Sequence, residues 1–247
     1  MAAIFNGSTS DLSATVSSTP IDYPVLMVCR FKAADATHRG TLIALSDNEA
    51  ESSLMLEVRG DVAGDFVTAS VVAASGTSSA QSASGFTAGV WRYTAAVFTS
   101  PTSRKVLCQK PLFGVNYPKD FGTVDTTERA PGDWTHLSIG ALYNGVATNR
   151  FNGRIENVGV YFGFDPGDAD DAAGEMSGQF KVTNAGLLRN YLHLSKMLIR
   201  NANDYDDNGD ALTANSVTFD PSDSYWQSHS ASHDRTPAGF FHRGLGR

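Results

Sequence analysis

At 247 residues the chain is long enough to bury a substantial core without staples, as one large all-β domain or two ordinary ones. Nineteen basic against 26 acidic residues give a net charge of −7, which excludes a basic footprint for nucleic acid. No apolar run approaches the roughly 18 residues of a membrane span. The acidic excess is aspartate, 20 against six glutamates, and aspartate belongs in turns more than in helices. With abundant Gly, Ser, Thr and Ala and few lysines, the composition predicts a β-rich, loop-rich protein.

In chain order, Ala3 to Phe5 reads as a short first strand turned by Asn6-Gly7. Asn6-Gly7-Ser8 also fits a glycosylation sequon, but no basic, apolar leader precedes it, so it is not expected to meet that machinery. Val25–Lys32 is predicted as a strand with Val25, Met27, Cys29 and Phe31 on one face, followed by strands over Thr41–Leu45, Leu54–Arg59 and Phe66–Ala74. Ala73–Ser84, low-complexity Ala/Ser/Gly, is predicted to be a mobile surface loop. Val90–Phe98 alternates cleanly and pairs with Arg104–Gln109 across Ser100-Pro101-Thr102-Ser103. Cys29 and Cys108 sit in apolar runs and are expected as buried free thiols.

Residues 110–134 carry three prolines and little periodicity, a connection long enough to be functional or packed on a neighbour. Thr135–Asp165 reads as a hairpin-like pair of strands joined through Tyr143-Asn144-Gly145. Phe151, Gly153 and Ile155 hold one parity and Val158, Val160 and Phe162 the other. Keeping both sets on the core predicts a bulge near Glu156-Asn157. Asp165 or Asp168 is placed to cap a short helix through Met176, and Gly186–Ile199 fits either helical or strand spacing. Ser216–Phe219 is strand-like. The remainder, with Tyr225, Trp226, Arg235, Phe240, Phe241 and Arg243, reads as an arm that orders against a partner.

Candidate chemistry is sparse. Asp204, Asp206, Asn208 and Asp210 match the first half of a calcium loop, but position twelve is Asn215 where a bidentate glutamate belongs, and a β-turn explains the residues better. Calcium is the one cofactor this loop brings into question. His229 and His233 lack the further ligands of a structural zinc. His136 and His193 read as strand residues. Arg59-Gly60-Asp61, an adhesion tripeptide in other settings, is better explained as a turn between strands. Glycoside hydrolysis needs two carboxylates at a fixed separation; Glu57 has only Asp61 beyond the turn, and Glu156 has Arg154 beside it and no acidic neighbour. No nucleophile elbow or phosphate-cradling loop occurs.

From Phe86 onward the order of features resembles the laminin G-like branch of the concanavalin A-like lectin/glucanase superfamily. The matching stretches are Gly89-Val90-Trp91 through Phe98, Leu137-Ser138-Ile139-Gly140, and Phe151-Asn152-Gly153-Arg154-Ile155 leading to Val158-Gly159-Val160-Tyr161. Phe5 to Leu12 looks like that family's opening strand and turn, and Tyr191–Leu194 with Asp204–Thr213 like the closing segment of virus-encoded members. The resemblance implies an all-β antiparallel jelly-roll sandwich, over residues 1–219, with 220–247 as an irregular arm. It makes Tyr191–Lys196 a strand. The acidic strand motif of the glucanase branch is missing, so the resemblance implies a non-catalytic protein. The expectation is a bacteriophage virion surface component, on capsid or tail, made in the host cytoplasm and partnered by other virion proteins or by copies of itself. The alternative is a glycan-binding lectin or adhesion module; a hydrolase is third. No membrane or nucleic-acid partner is expected.

Overall fold

The computed structural model describes residues 2–15, 23–47, 52–109, 122–127, 134–162, 189–193 and 213–220. Among these there is no helix, and hence none long and apolar enough to cross a membrane. The strands are β1 (Ala2–Asn6), β2 (Asp11–Thr15), β3 (Val25–Ala33), β4 (Arg39–Ser46), β5 (Ser53–Arg59), β6 (Phe66–Ala73), β7 (Gly76–Gln81), β8 (Arg92–Ser100) and β9 (Ser103–Gln109). They continue with β10 (His136–Ile139), β11 (Leu142–Tyr143), β12 (Ala147–Thr148), β13 (Asn152–Phe162), β14 (Arg189–His193), β15 (Thr213–Asn215) and β16 (Thr218–Asp220).

Two seven-stranded antiparallel sheets result. Sheet A runs β16-β1-β13-β3-β8-β9, with β14 also paired to β13, and sheet B runs β15-β2-β10-β4-β5-β6-β7. The fold is a jelly-roll sandwich whose inner faces share one core, as alternation along the strands requires. Val25, Met27, Cys29 and Phe31 of β3 face that core, opposite Leu54, Leu56 and Val58 of β5. Phe151 sits edge-on to both Phe5 and Phe31, with ring centroids 6.4 and 6.3 Å apart, the offset geometry that aromatic quadrupoles favour. Burying each ring stabilises the fold by about 1.5–3 kcal/mol.

The parity slip of β13 is present. Its register against β3 shifts between Glu156 and Gly159, and Phe151, Ile155, Val158 and Val160 are all buried in the core. Gly153 has φ +146, and a Cβ there would stand 2.3 Å from the Lys32 carbonyl oxygen, so this position of the core strand requires glycine. Cys29 and Cys108 are buried free thiols on either side of Thr94. Burial pushes the Cys29 thiol well above its ordinary value and the Cys108 thiol to about 12.

Four expectations need correction or division. Thr135–Asp165 is not a hairpin: β10 lies in sheet B and β13 in sheet A, and a separate small hairpin, β11–β12, occupies the connection. Local alternation identifies both strands but cannot say which sheet each joins. Ala73–Ser84 is not a loop, since β7 pairs with β6 from Thr68↔Gln81 to Ala73↔Gly76. Its residues have weak strand propensity, but backbone pairing to a firm neighbour and burial of Ala80 hold it in place. Of Ser216–Phe219 only Thr218 and Phe219 are strand, in β16; Ser216 turns with φ +50 between β15 and β16. Residues 122–127 lie against this protein's own edges: Thr123 N donates to Gln81 O at 2.9 Å, and Asp125 pairs with Arg104. The expected helix near Asp165 lies outside the described residues, as do 110–121, 128–133, 186–188 and 194–199.

Candidate functional site

Sheet register builds the site. Inner positions of β5 are Leu54, Leu56 and Val58, so Glu57 and Arg59 point outward. Arg39 stands opposite Arg59, and Thr41 opposite Glu57, which in turn faces Thr68 and, one strand on, Gln81. The outward face of sheet B therefore carries a polar row across four strands, ending at one rim in two adjacent arginines.

Each arginine is clamped. Arg39 Nε and Nη2 donate to the two oxygens of Glu57, both at 3.0 Å, and the Glu57 side chain is 0% exposed while Arg39 is 34% exposed. Arg59 Nε and Nη2 donate to Asp61 at 2.8 and 2.9 Å. That fork lowers the Asp61 pKa and raises that of Arg59. A third arginine, Arg150, bridges beside Thr41 and donates to Asp11 Oδ1 at 2.7 Å, while Asn215 Nδ2 holds the other Asp11 oxygen at 2.9 Å. Forked guanidinium–carboxylate geometry fixes both partners in orientation.

The rim loops are fixed as well. Gly60 N donates to His38 O at 3.2 Å, and a Cβ on Gly60 would come within 2.6 Å of the Ala36 backbone, so this close approach needs glycine. Burial disfavours ionisation of Asp35, but hydrogen bonds from His38, Thr37 and Asn152 outweigh it and bring the carboxyl to about 2. On the opposite flank the β11–β12 hairpin lies over sheet B, with Leu142 packed on Ala44 and Met55. Tyr143 stacks on His136 with centroids 5.4 Å apart and planes 23° apart, and its carbonyl accepts a bond from Ser46 Oγ. Two buried oxygens near this hairpin, Thr41 Oγ1 and Asn144 Oδ1, have no hydrogen-bond partner.

Chemically the site is an array of fixed donors and acceptors beside a stacked aromatic. It holds no pair of carboxylates free for acid–base work, because Glu57 and Asp61 are each occupied by an arginine. Glu156, the other strand glutamate, lies on sheet A near Arg30, at 3.8 Å. Among the described residues no cluster of three or more His, Cys, Asp or Glu could hold a metal ion.

Of the sequence-derived site residues, Tyr225, Trp226, Arg235, Phe240, Phe241 and Arg243 lie outside the described residues. So do Asp204, Asp206, Asn208 and Asp210, and His229 and His233. Arg59-Gly60-Asp61 is indeed the turn leaving β5. The Arg39–Glu57 fork follows from the structure and not from the sequence. Its one sequence signal is a glutamate alternating with Leu54, Leu56 and Val58, and its partner is identified only by strand register.

The fold is an antiparallel jelly-roll sandwich that carries this polar rim on sheet B. No protein-family model matches the sequence, and no curated protein matches it either. Solved structures do. A proposed carbohydrate binding protein from Bacteroides ovatus is 10% identical, over 88% of this chain and 59% of that one, with a TM-score of 0.56. The CBM40 domain of the Ruminococcus gnavus IT-sialidase, solved with α2,3-sialyllactose, is 12% identical over 64% of this chain and 86% of that one, TM-score 0.49. The SAP-like pentraxin of Limulus polyphemus is 12% identical over 64% and 74%, TM-score 0.48. At these identities the likeness is one of fold.

Proposed function

We propose that the protein is a non-catalytic, glycan-binding lectin-like module whose ligand sits at the Arg39–Glu57 rim of sheet B. The observation that carries this is the pair of neighbouring forks, Arg39–Glu57 and Arg59–Asp61, whose arginine side chains are 34% and 26% exposed. Each fork uses Nε and Nη2, which leaves Nη1 directed away from its carboxylate. Fixed donors next to carboxylate acceptors suit vicinal sugar hydroxyls, which both donate and accept. Opposite charges balance within the rim, so a neutral sugar is favoured over an anion held by charge alone. Carbohydrate binding by the Bacteroides ovatus neighbour, as its name proposes it, points the same way.

The test is a glycan array followed by titration of the best ligand. Wild-type protein gives a saturable signal. Arg39→Lys, which keeps the charge and loses the fork, and Arg59→Ala each weaken binding about 10- to 100-fold, the worth of one or two charge-assisted hydrogen bonds. No saturable glycan signal from the wild type, or unchanged affinity in both variants, overturns the reading. Turnover of a β-glucan overturns its non-catalytic part.

A finer reading places this module on a bacteriophage virion, as a capsid- or tail-surface component with residues 220–247 as its docking arm. It rests on the sequence resemblance and on the spaced aromatics of that arm. Purified particles bind the full chain and not a 1–219 truncation if the arm docks the protein; equal binding by both removes the arm's role.

A further inference from the structure

Asparagine followed by glycine is prone to spontaneous deamidation, because glycine has no side chain to hinder attack by its backbone nitrogen on the asparagine amide. The chain has Asn6-Gly7, Asn144-Gly145, Asn152-Gly153 and Asn208-Gly209, the last outside the described residues. An aromatic residue, Phe5, Tyr143 or Phe151, precedes each of the first three, so local sequence does not separate them. The structure does. Asn6 Oδ1 accepts from the backbone nitrogens of Ser8, Thr9 and Ser10 at 2.9, 2.8 and 3.1 Å, and Asn6 Nδ2 donates to Thr9 Oγ1 at 2.8 Å. The attacking nitrogen is engaged as well, since Gly7 N donates to Phe151 O at 3.1 Å. Asn152 Nδ2 donates to Asp35 Oδ2 at 3.0 Å, and Gly153 is buried in β13 between Phe5 of β1 and Ala33 of β3.

Asn144-Gly145 has no such restraint among the described residues. It lies in the turn between β11 and β12, where Gly145 is exposed and has φ +84. The backbone bond of that turn runs from Asn144 N to Val146 O at 3.3 Å and leaves Gly145 N out. Asn144 Oδ1 is buried without a hydrogen-bond partner. An acceptor buried without a donor is a cost rather than an anchor, so the amide gives up nothing when it turns towards Gly145 N. We infer that Asn144 is a modification site at which the folded protein deamidates, with water as the only co-reactant. Gly145 N loses its proton and bonds to Asn144 Cγ, the bond from Cγ to Nδ2 breaks, and ammonia leaves with the proton. Water then adds to either carbonyl of the cyclic imide and opens it to aspartate or isoaspartate, and no atom is oxidised or reduced. Both products add a negative charge, and isoaspartate also lengthens the main chain of the turn. That turn stands on the flank of sheet B where Tyr143 stacks on His136 and Leu142 packs on Ala44 and Met55. At Asn6 and Asn152 the same reaction must first break hydrogen bonds, each of which slows it about five-fold.

Ageing the full chain in mildly alkaline buffer, followed by peptide mapping, tests this; electron-transfer fragmentation tells isoaspartate from aspartate. In the folded protein Asn144 converts about 10-fold or more faster than Asn6 or Asn152. In concentrated urea the three convert at similar rates, because only the fold separates them. Equal conversion of Asn6 or Asn152 in the folded chain overturns the inference. So does an Asn144 that stays amide while the urea-unfolded chain converts, or a ratio that persists unchanged in urea. Gly145→Ala slows conversion of Asn144 several-fold by hindering the attacking nitrogen. An unchanged rate in that variant would mean direct hydrolysis by water and would overturn the cyclic route.

Discussion

On the outward side of sheet A, Arg30 and Glu156 lie 3.8 Å apart at 1% and 2% exposure, with the Tyr93 ring centroid 4.5 Å from the guanidinium. On the outward side of sheet B, Arg39 and Glu57 form a two-bond fork in which the glutamate side chain is buried and the arginine side chain is 34% exposed. Both pairs join an arginine to a glutamate, but one is a 3.8 Å contact and the other a two-bond fork, and their surroundings differ. A fully enclosed pair has given up all its hydration, and its attraction offsets that cost only while both partners are present. A rim pair keeps part of its water, contributes less to stability, and leaves its cation available to something outside. One face therefore encloses its charge within the fold, and the other leaves its cation partly exposed to solvent.

Removing one partner separates the two cases most strongly on sheet A. Glu156→Ala abandons a buried guanidinium and is expected to cost about 3–5 kcal/mol in urea unfolding. The double change Arg30→Met with Glu156→Leu recovers most of that loss, because well-packed apolar side chains replace the pair without a stranded charge. A single-variant loss below ~1 kcal/mol would place Glu156 among ordinary surface residues.

On sheet B the corresponding change is Arg39→Ala. It breaks two charge-assisted hydrogen bonds and leaves Glu57 where water can enter through the vacated rim, so a loss of about 1.5–3 kcal/mol is expected from the same unfolding measurement. A loss as large as that of Glu156→Ala would mean that the rim is closed to solvent, and would break the contrast between the faces.

Much of the architecture was legible because strands write a period of two into the sequence. Phe151, Gly153, Ile155, Val158 and Val160 demanded one core face and hence one extra residue, and the bulge follows from that count alone. β7 was not legible: Gly76-Thr77-Ser78-Ser79-Ala80-Gln81 has no β-branched aliphatic or aromatic residue, and its place comes from the neighbour it pairs with. The assignment of β10 and β13 to different sheets is a matter of long-range connection, which no local pattern records. The rim site shares that limit. Glu57 was visible as a lone carboxylate in an apolar strand, but Arg39 became its partner only when β4 was laid against β5 in register.

The smallest effect expected lies at the edge of the same rim, where Asp35 sharpens the comparison through pH. Its carboxyl accepts from Thr37 N at 3.1 Å and from Asn152 Nδ2 at 3.0 Å, and its pKa falls from 3.8 to about 2. A folded-state value below the unfolded one means that the unfolded chain binds the proton more readily. The stabilisation is therefore complete above the unfolded value, declines as pH falls between about 4 and 2, and is gone below the folded value. Asp35→Asn should abolish that part of the acid dependence while leaving stability near neutral pH only modestly lower. Comparing unfolding midpoints of the two proteins at intervals across this range measures it. Parallel pH profiles for wild type and variant would show that the β3–β4 loop hydrogen bonds do not distinguish the ionised carboxylate, and that the rim is organised by its arginine forks alone.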